Sequence, residues 1–125
     1  MITEDYCSYE VSKLLKDKGF NDPFTHMFIN KDNVKFDCSS TGVVPKETIA
    51  CPTHQMAMKW LREVYDLHII AYPFKSGNDV NATHYCCQVF KTFNLLGCEK
   101  YTNETLTSYE QAVETALKYC LEKLI

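Results

Sequence analysis

Cys51 and His54 stand three residues apart in the stretch CPTHQMAMKW (51–60), as the members of half a structural zinc site would. A thiolate and an imidazole so placed can share one ion, but a closed site needs a second close pair. The nearest such pair is His84 with Cys86 or Cys87, and no spacing requires the two pairs to meet. The same ten residues also fit a helix start. Thr53 has an N-cap side chain, Pro52 shapes the approach, and Ala57, Trp60 and Leu61 follow at helical spacing. The helix start is the preferred reading, and no metal is expected.

Seven cysteines and four histidines make chance Cys–His pairs common, so no nucleophile and base stand out. Cys86 and Cys87 are adjacent, and a strand would send them to opposite faces, unlike a C-x-x-C redox pair. Cys38, Cys87 and Cys120 read as small buried hydrophobes. Asp37, between Phe36 and Cys38, is the one carboxylate with apolar neighbours, yet alternation puts it on the solvent side. With only four glycines there is no P-loop and no G-x-G-x-x-G. The expectation is a non-enzyme with no catalytic residue and no cofactor.

The aromatics offer a different kind of site. Tyr72, Phe74, His84 and Phe90 fall on the sheet face opposite Ile69 and Ala71 if 67–74 and 82–92 are strands. Were helices to cover only the other face, these four would form a candidate interaction surface of the kind that marks partner or self-association contacts.

The elements that position these residues follow from periodicity. Ser8 caps a first helix with Val11, Leu14 and Leu15 on its apolar stripe and Gly19 as its stop. Met27 to Ile29 and Val34 to Cys38 flank a polar turn and read as a hairpin, and SSTGVVPKE (39–47) reads as a loop. The central helix runs from about Thr53 to Tyr65 with Ala57, Trp60, Leu61 and Val64 inward, widened by Met56 and Met58. LHIIAYPF (67–74) is a strand apolar on both faces, and ATHYCCQVFKT (82–92) returns beside it. A short extended piece is expected around Cys98 to Tyr101. Thr107-Ser108-Tyr109-Glu110 opens the last helix, whose stripe runs Tyr109, Ala112, Val113, Ala116, Leu117, Cys120, Leu121 and Leu124. The expected fold is a single α+β domain over 1–125, in the order α-β-β-α-β-β-α, with an antiparallel sheet of about four strands packed against helices.

Composition sets the outer bounds. The chain has 125 residues, 46% hydrophobic and 23% charged, the balance of one ordinary globular domain rather than of a disordered segment. No run approaches a membrane span of roughly 18 apolar residues, and MITEDYCSYE carries acids where a signal peptide needs a basic start. A cytoplasmic location with free thiols is expected. Net charge is −3 and Arg62 is the single arginine, so the basic excess of a nucleic-acid binder is missing. A helix–hairpin–helix order loosely like that of double-stranded-RNA-binding domains leaves nucleic-acid binding as the alternative. However, TSYEQAVETA places acids at the start of the last helix, where they would repel phosphate.

Three segments, SYEVSKLLKDKGFNDP (8–23), CPTHQMAMKWLREVYDLHI (51–69) and SYEQAVETALKYCLEKLI (108–125), resemble in order and spacing a group of small proteins of unknown function encoded by phages, prophages and mobile elements of gut anaerobes. Pro52 to Val64 is the most specific part. The resemblance implies a genomic setting, and with it the host cytoplasm, but supplies no activity, cofactor or site residue. The function expected is that of a small accessory protein acting through protein–protein contacts, with a homodimer as the first candidate assembly and no membrane partner.

Overall fold

The computed structural model describes residues 1–22, 26–29, 34–36, 48–74, 84–92, 94–95 and 106–125. Their elements run α1 (Tyr9–Asp17), β1 (His26–Ile29), β2 (Val34–Phe36), β3 (Thr48–Cys51), α2 (His54–Tyr65), β4 (Leu67–Phe74), β5 (His84–Lys91), β6 (Asn94–Leu95) and α3 (Tyr109–Tyr119), the last widening into a π-helical end over Cys120–Leu124. This is an antiparallel α+β arrangement, as expected.

Each helix starts where a hydroxyl side chain can take up a free backbone amide. Ser8, Thr53 and Ser108 accept from the amides of Val11, Met56 and Gln111, three residues on in each case. At α3, Gln111 Oε1 in turn accepts from the amide and hydroxyl of Thr107, so the capping box closes one residue before the cap. α1 ends in a paired turn: the Phe20 amide reaches Leu15 O at 2.9 Å and the Gly19 amide reaches Lys16 O at 3.1 Å. Gly19 sits at φ 104, a conformation that an L side chain resists. α2 ends on Asp66, which is also left-handed at φ 57. Its carboxylate accepts from the Thr92 hydroxyl, from the Thr92 amide at 3.3 Å, and bonds to His68 Nε2 at 2.9 Å. These bonds hold the strained turn against the far end of β5.

The described strands form two three-stranded antiparallel sheets, β2-β1-β3 and β4-β5-β6, where one sheet of about four was expected. The expected order changes accordingly. Thr48–Cys51 adds a strand to the first hairpin, pairing Met27 with Ala50 and Phe28 with Ile49. Asn94–Leu95 adds another beside Phe90 and Lys91. Both are too short to show an alternating pattern, and both are defined by pairing with the edge of a neighbouring strand. The loop read over 39–47, the extended piece at 98–101, Asp37 and Cys38 lie outside the described residues.

β4 and β5 pair over eight residues, Leu67 with Lys91 through Phe74 with His84. Their inner face carries Leu67, Ile69, Ala71, Tyr85, Cys87 and Val89 into the core. α3 packs on both strands, α2 packs on β4, and α1 packs on β3 and α3. The core is built from Val11, Leu15, Ala57, Leu61, Ala112, Val113, Ala116, Leu117, Cys120 and Leu121, all at most 2% exposed. Phe20, Trp60 and Tyr65 stack edge-on at 5.7 and 5.3 Å between centroids and join the end of α1 to α2. One residue of the α2 stripe departs from expectation: Val64 is 56% exposed, whereas Met58 is buried in its place and Met56 is exposed. No helix among the described residues is long and apolar enough to cross a membrane.

Candidate functional site

The N-terminal segment runs antiparallel to the stretch that opens α2. Tyr6 bridges Thr53, the Cys7 amide donates to Pro52 O at 2.9 Å, and the His54 amide donates to Asp5 O at 2.9 Å. This stitching sets Cys7 beside the first turn of α2. From the other side α3 brings Glu114 into contact with both partners. Its Oε1 lies 2.9 Å from His54 Nε2 and accepts from the Ser8 amide at 2.8 Å, while Oε2 accepts from the Ser8 hydroxyl at 2.8 Å. The N-terminal ends of α1 and α2 therefore converge on one carboxylate, where the helix dipoles favour negative charge.

His54 is 5% exposed and Cys7 is 2% exposed. One ligand atom each from Cys7, His54 and Glu114 lie within 4.8 Å of one another, the only such group among the described residues. Burial opposes the charged form of Glu114, but the bonds from His54 and from the Ser8 amide and hydroxyl outweigh it and hold the carboxyl below the usual glutamate range. Glu114 and His54 line an open cleft of about 730 Å³ together with Asp5, Ser8, Glu110 and Gln111. Three of these residues are acidic and no lysine or arginine joins them, so the cleft suits a cation better than a phosphate.

Sequence reasoning left His54 in a helix start and set aside a metal pairing with Cys51. Cys51 is fully buried and its thiol donates to Cys7 O at 3.4 Å. Neither His84 nor Cys86 joins the cluster. The cysteine that does is Cys7, which no local spacing picks out, and Glu114 was read only as one of the acids of the last helix that would repel phosphate.

As a thiol, Cys7 is poorly placed for nucleophilic chemistry. Burial first, then the Glu114 carboxylate and Cys51, push it well above the ordinary thiol range. Cys120 is likewise pushed up to about 12 by burial, with Cys87 beside it. All five described cysteines are buried thiols. With seven in the chain, at most two thiols should react quickly with a disulfide reagent under native conditions, and all seven in denaturant. A third fast thiol would show that one of the five opens readily.

The aromatic residues fall where the alternation placed them. On the face of β4–β5 away from the helices, Tyr72 pairs with Cys86, Phe74 with His84, and His68 with Phe90, with Ile70 and Gln88 between them. Tyr72, Phe74, His84 and Phe90 are half-buried, and the Phe74 and His84 rings meet at 5.8 Å between centroids. Cys86 is 3% exposed among its larger row neighbours, whereas Ile70, in mid-strand, is 47% exposed.

Comparison with family models, curated proteins and solved structures returns no match to this chain.

Proposed function

We propose that the protein is a small non-enzymatic accessory protein that works through protein–protein contact, with the outer face of β4–β5 as its contact surface and a second copy of the chain as its first partner. The observation that carries this reading is Ile70. A large aliphatic residue 47% exposed in the middle of the longest described strand pair, inside a row holding Tyr72, Phe74 and Phe90, is apolar surface that a contact would cover. A two-fold dimer would use the same patch on both copies. The genomic setting, a phage or mobile element, rests on the resemblance of 8–23, 51–69 and 108–125.

The test is the solution mass of the protein and of Ile70→Asp. Wild type is expected to be a dimer in sedimentation equilibrium. Covering the exposed part of two Ile70 side chains is worth about 2 kcal/mol, roughly thirtyfold in the dissociation constant, so Ile70→Asp should shift toward monomer with an unchanged far-ultraviolet circular dichroism spectrum. A wild-type monomer at every concentration, or a dimer indifferent to the substitution, would remove this face from the account.

A further inference from the structure

We infer that Cys7, His54 and Glu114 form a binding site for a single thiophilic divalent cation, zinc before others, with its open coordination position toward the cleft. The donor set itself narrows the ion. A thiolate excludes magnesium and calcium, while imidazole and carboxylate donors beside it are the mixture zinc accepts. Three protein ligands with a fourth position free is also the pattern of zinc sites that hold water or an exogenous ligand.

The geometry is close to what an ion needs. Tetrahedral zinc sets its ligand atoms about 3.3–3.6 Å apart. His54 Nε2 and Glu114 Oε1 stand at 2.9 Å, and the three ligand atoms all lie within 4.8 Å of one another. Closing the site therefore needs a slight parting of the imidazole–carboxylate pair and a movement of the sulfur on the order of 1 Å. The thiol proton leaves to solvent as the metal–sulfur bond forms.

The support around the ligands resembles that of a metal site. Ser8 fixes Glu114 through both its amide and its hydroxyl, 2.8 Å from each carboxylate oxygen, which orients the carboxylate. The bridge between Tyr6 and Thr53 holds the Cys7 and His54 backbones in register. Entry is provided too: His54 and Glu114 line the cleft while Cys7 is buried behind them, and Asp5 and Glu110 make its mouth attractive to cations. This proposal is independent of the β4–β5 face, and loss of self-association would leave it standing.

The probe is cobalt(II), a spectroscopic stand-in for zinc, added to reduced, metal-free full-length chain. One equivalent should produce a thiolate-to-cobalt charge-transfer band that one equivalent of zinc abolishes. Cys7→Ser should remove the band. Glu114→Gln, checked for an unchanged circular dichroism spectrum, should weaken zinc binding at least tenfold, since even outer-shell changes cost about 10–100-fold. No thiolate band in wild type, a band surviving in Cys7→Ser, or wild-type affinity in Glu114→Gln would each overturn the site. If Cys7→Ser fails to fold, the wild-type spectrum and Glu114→Gln decide.

Discussion

Glu114→Ala should destabilise the metal-free protein by about 2–4 kcal/mol at neutral pH, because one carboxylate serves three donors from two other elements. Truncation leaves the Ser8 amide without its acceptor at the start of α1 and leaves the buried His54 ring facing an empty space. The Ser8 hydroxyl keeps only its capping bond from the Val11 amide at 3.1 Å. Hydrogen bonds to charged groups are worth about 1.5–3 kcal/mol each, but solvent reaches part of this carboxylate, so the sum stays below three full bonds. The pH dependence has a definite sign. The Glu114 carboxyl sits below its ordinary value in the folded protein, so its contribution is fully present above about pH 4.3, the unfolded value, and is lost as pH falls through the folded one. Urea denaturation from pH 7 downward should show wild type losing this increment in acid while Glu114→Gln loses less. Parallel curves for the two proteins would mean that Glu114 is not the residue tying the helices together.

That clamp was illegible in the sequence for a physical reason. His54 and Glu114 are 60 residues apart, and Cys7 and Thr53 are 46 apart. Nothing in the periodicity of one helix says which residue of another it will meet. The helix ends were legible because they are local: Ser8, Thr53 and Ser108 each satisfy an amide three residues on, and Gly19 takes a conformation few other residues tolerate. The faces of β4 and β5 were legible because side chains alternate without exception along a regular strand, which put Tyr72, Phe74, His84 and Phe90 on one side before any pairing was known. Thr48–Cys51 and Asn94–Leu95 were missed because a strand of two to four residues is made by its neighbour and not by its own pattern. CPTHQMAMKW bears on both of the readings weighed for it. Thr53 caps the helix as read, and the same turn delivers His54 to a cysteine, though from the N-terminal segment and not from Cys51.

Leu61→Ala should be the most damaging truncation on α2, at about 2–5 kcal/mol, and Val64→Ala should fall within about 0.5 kcal/mol of wild type. The two residues belong to one apolar stripe by spacing, so sequence alone predicts similar penalties. Their surroundings differ completely: Leu61 is fully buried in the central cluster with Leu15, Leu67 and Leu117, and Val64 is 56% exposed. Removing Leu61 deletes buried methyl groups and leaves a cavity that helices held by caps at both ends cannot easily close. Removing two methyls from Val64 loses little burial, and alanine is the better helix former. The difference arises because α2 rolls so that Met58, not Val64, faces inward, which also turns His54, one turn earlier, toward α3. The roll of α2 thus links core and site. Thermal or urea denaturation of the two variants measures it directly, and equal penalties would mean that α2 sits with the Val64 side against the sheet and His54 away from Glu114.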